Sequence, residues 1–335
     1  MNLVLLLFYV FQTRAMSESH TGSNIADVLN EAVSEWGLPA DPPLVTDNAS
    51  NMIVAADEFG CSLHVGCLAH TLNLACGKAL KLSSVTNLLA RMRRVVAYFH
   101  RSTVATAILK EKQKLLQLPE HKLVMDVSTR WNSALDMISR YLEQQPAIYA
   151  ALTSRVLRGR GNDVATLSER DIASAEELVV ILTPLKVATT ALCEESVPTL
   201  SMILPLQHQL INHTMKTSED DTPLIKQVKQ MIVVDLAKRY QGTDTKKNLT
   251  LATLIDPRFK LAPFLSNEDR LDAYHELTLQ AIVALCKAKE SHPQIAHSGP
   301  EATPEIPEPP AHDSQLTLST NPLLLVLSRE TDRKL

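Results

Sequence analysis

Two stretches concentrate the side chains capable of chemistry. The first is Val45-Thr46-Asp47-Asn48-Ala49-Ser50-Asn51-Met52, followed by His64-Val65-Gly66-Cys67-Leu68-Ala69-His70-Thr71-Leu72-Asn73-Leu74. Asp47 falls where a short apolar strand, 44–46, runs out. A carboxylate there projects into the crevice above a sheet, the usual ligand position in α/β folds. Two-metal phosphoryl chemistry needs two or three carboxylates around ions about 4 Å apart, so one Asp cannot support it alone. Asp47 can instead cap the helix that follows. Cys61, His64, Cys67 and His70 recur every three residues and are all zinc-ligand types. Structural zinc sites usually separate two ligand pairs by a loop, and four ligands this close do not readily close a tetrahedron. Cys67 and His70 share a helix face and read better as a buried, hydrogen-bonded pair.

The second stretch is Asp126, Ser128 and Arg130-Trp131-Asn132. An Arg-Trp pair in a polar break can contact a phosphate and stack a base. The alternative is a core Trp131 with Arg130 paired to Asp126. The chain has no nucleophile elbow, P-loop or dinucleotide fingerprint.

Charge is unevenly placed. From Lys78 to Lys122 there are ten Lys or Arg (78, 81, 91, 93, 94, 101, 110, 112, 114, 122) against two acids (111, 120), in a chain of net charge −4. A basic helical face supplies phosphate contacts that weaken with salt. A solvated helix face is the alternative, and aromatics at 4% leave few stacking platforms. The overall acidity excludes a uniformly basic nucleic-acid binder.

The elements that must position these residues follow from periodicity. The 335 residues are 45% hydrophobic with only nine Gly, which favours helix over an all-β fold. Five Cys, an odd number, read as reduced thiols of an intracellular protein. The apolar run 2–12 is shorter than the ~20 residues that span a bilayer and reads as a buried strand. Thr21 caps a helix carrying Ile25, Val28, Leu29, Ala32, Val33 and Trp36, with Trp36 as a core anchor and Gly37 as the stop. Pro39, Pro42 and Pro43 make the turn into strand 44–46. A helix over 51–58, capped by Asn48 or Ser50 and ended by Gly60, leads to strand 62–66 and a helix over 68–80. The first 80 residues therefore alternate β-α-β-α-β-α.

From Ser84 the pattern turns helical. Val85, Leu88, Leu89, Met92, Val95, Val96 and Phe99 form one stripe, and a second helix covers 103–117. After the polar break at 126–133, Ser168 caps a helix over 169–192 that Pro184 should kink. Further helices are expected over 199–216, 222–241 and 267–289, with Leu254-Ile255-Asp256-Pro257-Arg258-Phe259-Lys260 as a turn. Residues 290–322 carry seven prolines and read as a linker to the short 323–335 remnant.

Four ordered motifs, 45–52, 67–74, Asp126-Val127-Ser128-Thr129-Arg130-Trp131-Asn132-Ser133 and 254–260, resemble those of hAT-superfamily transposases, especially the zinc-finger BED-type proteins derived from them. Gln12-Thr13-Arg14-Ala15-Met16 and His20-Thr21 fit the same pattern, and the resemblance covers about residues 8–290. It implies an α/β plus all-α chain: a partial ribonuclease-H-like core (1–80), a large helical insertion (81–289), a Pro-rich linker (290–322) and a C-terminal remnant (323–335). It implies that Asp47 corresponds to the second of three catalytic acids, which hold Mg²⁺ in active relatives. Cys67, His70 and Trp131 then match positions near the active site and the bound DNA end. The BED finger, the first two core strands with the first acid, and the C-terminal block with the third acid and the dimerisation segment have no counterpart here. The expectation is a chain that is not an enzyme and needs no cofactor. It would be nuclear and not membrane-bound, and would contact DNA through the basic region 78–122, with Arg91, Arg93, Arg94 and Arg130 as contacts. Related BED-type proteins are the other expected partners. The alternative is a protein–protein interaction module or a fragment of a longer BED-type DNA-binding protein.

Overall fold

The computed structural model describes residues 12–38, 41–158, 164–193, 199–259 and 261–291. The expected strand 2–12 (but for Gln12), Pro39, and the expected linker and remnant beyond residue 291 lie outside these. Helix α1, Gly22–Glu35, begins where the Thr21 hydroxyl accepts from the Asn24 amide at 3.3 Å, and it ends before Gly37 at φ 58°. Arg14 ties back to Glu31 and Glu35 on this helix. The apolar stripe of α1 is only half-buried, and Trp36 is 46% exposed rather than a core anchor. Trp36 occupies the C-cap, where the chain leaves the helix that packs on its neighbour.

Strands β1, Leu44–Thr46, and β2, His64–Gly66, pair in parallel, with Leu44 level with His64 and Thr46 level with Gly66. They are the only strands among the described residues. The expected β-α-β-α-β-α layer is therefore seen as α-β-α-β-α. Helix α2, Ser50–Phe59, forms the crossover, packs on α1, and stops at left-handed Gly60, φ 76°. Neither Asn48 nor Ser50 caps it. Ala49 holds the N-cap without a side-chain bond, and the Asp47 carboxylate accepts the Ala49 amide at 3.0 Å. Asn48 is drawn off to the Cys67 carbonyl (3.2 Å) and the Thr71 hydroxyl (3.0 Å). Gly66 makes room for it, because a Cβ there would lie 2.1 Å from Asn48 Oδ1.

The remaining elements are helical. Helices α3, Leu68–Ala79, and α4, Ser83–Arg101, follow directly, and every member of the expected α4 stripe is buried. Helix α5, Thr103–Leu115, is capped by the Ser102 hydroxyl. Helices α6, Trp131–Leu152, α7, Arg155–Arg158, and α11, Thr243–Ile255, lie outside the sequence expectations. Helix α6 opens inside the polar break and contains Pro146; α11 starts without a side-chain cap and mixes Lys and Thr with its Leu residues. Helix α8, Glu169–Leu192, has the full capping box of Ser168 and Asp171.

The expected helix 199–216 divides into a 3₁₀ turn at Leu200–Met202, α9 at Ile203–Gln209, and a π turn at Leu210–Thr214. Thr222 caps α10, Pro223–Ala237, and α12 spans Asn267–Ser291. Of the expected 254–260 turn, Leu254 and Ile255 end α11, 256–259 turn, and Lys260 lies outside the described residues; the Asp256 carboxylate there accepts from Ser201 Oγ and Arg258, each at 2.6 Å. Burial pushes this carboxyl up, but the donors outweigh it and hold it below the usual range.

One hydrophobic core runs from Val65 to Phe259, and α3 packs on α8 and α10. The boundary expected at residue 80 falls inside this core. A small second cluster joins α11 and α12 through Leu251, Leu254, Ala262 and Ala273. The small sheet is fastened to the core from far along the chain. The hydroxyl of Tyr240, held at φ 59°, donates to the Gly66 carbonyl at 2.7 Å and lies 3.3 Å from Thr71 Oγ1. Burial pushes this phenol up to about 12, so it stays a donor. No described helix is long and apolar enough to cross a membrane.

Candidate nucleic-acid interface

The Asp47 corner is open. Asp47 is exposed, and its carboxylate is engaged by the Ala49 amide in a local turn. Beside it, Thr46 Oγ1 lies 2.8 Å from His64 Nε2. Among the described residues no group of three His, Cys, Asp or Glu is placed to hold a metal. The four zinc-type residues diverge: Cys61 donates to the Ala56 carbonyl, His64 faces Thr46, and Cys67 takes the N-cap of α3. Cys67 and His70 are each half-buried and make no hydrogen bond with one another, so the expected buried pair does not form.

The second stretch builds a cleft of about 570 Å³. Its walls are the end of α3 (Asn73, Gly77, Lys78), Lys81, Arg93 on α4, and the turn 126–130 leading into Trp131. The turn is tightly made. Ser133 Oγ accepts the Val127 amide at 2.7 Å and reaches the Arg130 carbonyl at 2.6 Å. Asn73 Oδ1 accepts the Trp131 amide at 3.4 Å, which anchors the start of α6 to α3. The positive end of a 22-residue helix thus borders the cleft.

Four cations line it, Lys78, Lys81, Arg93 and Arg130, against the single carboxylate of Asp126. Arg93 grips Asp126 with Nε at 2.8 Å and NH2 at 2.6 Å. That bond raises the Arg93 guanidinium above its ordinary value. The partner of Asp126 is therefore Arg93, not Arg130, because the arginine on α4 faces it across the turn. Lys78 pairs with Asp235 on α10. Lys81 and Arg130 are exposed and keep their charges open to the cleft. Trp131 is 4% exposed, so it forms wall rather than an open stacking face. Its indole Nε1 is buried with no hydrogen-bond partner among the described residues.

The other basic candidates are placed differently. Arg91 pairs with Asp171 at a separate cavity of about 350 Å³. Burial raises the Asp171 carboxyl, but hydrogen bonds from Arg91 and Ser168 hold it below the usual range. Arg94 is exposed. Lys110 and Lys114 share Glu120, and Lys112 meets Glu111. Six of the ten basic residues of 78–122 are thus ion-paired, three of them to acids from outside the run. His70 lies on α3 one turn before Asn73 and Leu74 of the cleft, while Cys67 borders a small apolar pocket with Val45 and Leu192. Lys78 and Lys81 belong to the basic run expected to contact DNA, whereas Asn73 has no expected role. The helical spacing of Asn73, Gly77 and Lys81 was the available signal.

A profile of the ZBED1 RNase-like helical domain matches residues 65–178, a range that includes the whole cleft. Zinc finger BED domain-containing protein 4 of Homo sapiens is 29% identical over 232 residues, covering 67% of this chain and 18% of that protein. A Talaromyces stipitatus protein named as a transcriptional regulator (tpeD) is 24% identical over 295 residues, 76% of this chain and 32% of its own length. The chain thus spans less than a third of either relative.

Proposed function

We propose that this chain is a hAT-transposase-derived protein of the zinc-finger BED type and that it binds DNA through the cleft at the start of α6, in a transcription-associated role. The observation that carries this reading is the pairing of two open cations, Lys81 and Arg130, with a helix N-terminus in one walled cavity. Such a site takes a backbone phosphate and carries no base information by itself. Arg93 supports the contact by fixing Asp126 in the wall, whereas Cys67, His70, Arg91 and Arg94 do not line the cleft. The printed names of the relatives, a BED zinc-finger protein and a transcriptional regulator, favour the same setting. The nucleus is the proposed location, with DNA and other BED-type proteins as partners.

Two finer readings accompany it. The parallel pair β1–β2 with its crossover helix α2, and Asp47 at a strand end, support a partial ribonuclease-H-like layer followed by a helical insertion. The exposed, locally bonded Asp47 supports a turn role rather than catalysis. A strand-transfer or nicking assay with Mg²⁺ or Mn²⁺ checks the latter: activity that disappears in Asp47→Ala overturns it.

Binding itself is tested by fluorescence anisotropy with labelled duplex DNA over a salt series. Affinity should fall steeply with salt, with a log–log slope of about 0.9 per phosphate contacted. Lys81→Ala with Arg130→Ala should weaken binding and lower that slope by about 1–2. Binding that is indifferent to salt, or unchanged in the double variant, rejects the cleft.

A further inference from the structure

Two histidines meet at the end of α9, where the helix changes pitch. In an α-helix, residues five apart point about 140° away from each other, so His208 and His213 would face different ways. The π turn Leu210–Thr214, closed by the Met215 amide on the Leu210 carbonyl at 2.8 Å, takes up the extra residue. It leaves the two imidazole rings 5.7 Å apart between centroids, tilted by 59° and so not stacked. Single π turns of this kind occur frequently at functional sites. Phe264 packs on the His208 ring at 5.3 Å, while His213 is exposed. His64, His100 and His121 each spend a ring nitrogen on a partner within the chain, but the rings of His208 and His213 make no hydrogen bond among the described residues.

We propose that His208 and His213 together hold a divalent first-row transition ion such as zinc, with water in its remaining positions. With zinc–nitrogen bonds of about 2.1 Å and each ring centre roughly 1.1 Å behind its nitrogen, two imidazoles on one ion have centroids about 5–6 Å apart. The observed separation lies in that range. Neutral imidazole is the ligand form, and imidazole nitrogen suits zinc, copper and nickel. Burial and the neighbouring His213 both hold His208 below its ordinary value, which frees its nitrogen at neutral pH. Two protein ligands make a weak, exchangeable site, unlike the closed four-ligand sites of zinc fingers. The ion clamps the π turn and holds the His208 ring against Phe264, which itself packs on the small α11–α12 cluster. Metal therefore stiffens the joint between the main core and that cluster.

The test uses the full chain and Co²⁺, whose absorption separates nitrogen and oxygen ligands from cysteine thiolate. Titration should show an equivalent bound at micromolar concentration whose spectrum lacks the thiolate charge-transfer band. His213→Ala should weaken that equivalent at least tenfold, with circular dichroism unchanged because the residue is exposed. His70→Ala should leave it intact. Zn²⁺ should raise the thermal midpoint of the wild type by more than that of His213→Ala, and should slow amide exchange over Leu210–Thr214. A chain that takes up no Co²⁺ at micromolar concentration overturns the proposal. So does uptake that is unchanged in His213→Ala, or an equivalent that is lost in His70→Ala instead.

Discussion

The Asp47 corner and the Arg130–Trp131 cleft contain similar side chains but are built differently. The corner is rich in reactive types, Asp47 with Cys61, His64, Cys67 and His70 in the 23 residues after it, yet most of them are spent locally. Asp47 closes a turn, His64 meets Thr46, and Cys67 starts a helix. It rests on a two-stranded sheet whose Val45 is exposed. The cleft has fewer reactive types but three long helices behind it, a tight Ser133-bonded turn, and an ion pair that fixes one wall. Density of capable residues along a chain does not make a site. Rigid elements that converge on the same volume do.

The comparison is sharpened first at the two tryptophans. Trp131→Ala should cost about 3–5 kcal/mol of stability in denaturant unfolding, the range for a buried Trp. Trp36→Ala should stay within about 1 kcal/mol, since nearly half of that side chain is already in water. Equal losses would mean that the first layer is as well packed as the helical core.

Next in size is the wall of the cleft. Asp126→Asn removes the charge of the Arg93 pair and should destabilise by about 1–3 kcal/mol, discounted because Arg93 is partly exposed. Its DNA affinity should not fall, since a negative charge leaves the cleft. Acid sensitivity follows from the same kind of bond. Asp171, Asp221 and Asp256 all sit below the ordinary carboxylate value of 3.8, each because donated hydrogen bonds outweigh burial. Their contribution is therefore complete above that value and is lost as pH falls through the lower folded-state values. A urea midpoint titrated from pH 6 to pH 2 should drop at the acid end, and Asp256→Asn should make the drop shallower. The smallest effect belongs to the corner: Asp47→Ala should change stability by less than about 1 kcal/mol and leave DNA affinity unaltered. A marked loss of binding in that variant would join the two regions into one site.

Much of the helical frame was legible in the sequence because its signals are local. The stripe from Val85 to Phe99 predicts α4, and the Thr21, Ser168 and Gly60 signals predict where helices start and stop. Helices α6 and α11 were not legible, because Pro146 and weak capping disguise their periodicity. The site was half legible. Arg130, Trp131 and Arg93 all reach the cleft, but what each does there depends on partners distant in sequence. Asp126 had two arginines within reach of a simple pairing rule, and only the packing of α4 selects Arg93 over Arg130. Trp36 and Trp131 likewise look alike as residue types, and their burial differs because one follows a helix end and the other begins a helix inside the core.

The Tyr240 hydroxyl on the Gly66 carbonyl spans 174 residues. A bond that closes so long a loop cannot form early, because its entropy cost precedes any reward. The sheet is therefore fastened only after α10 has docked on α3, and it should be the first part to come loose. In hydrogen exchange, the amides of β1 and β2 should open together at a lower free energy than those of α4, with Tyr240→Phe lowering it further.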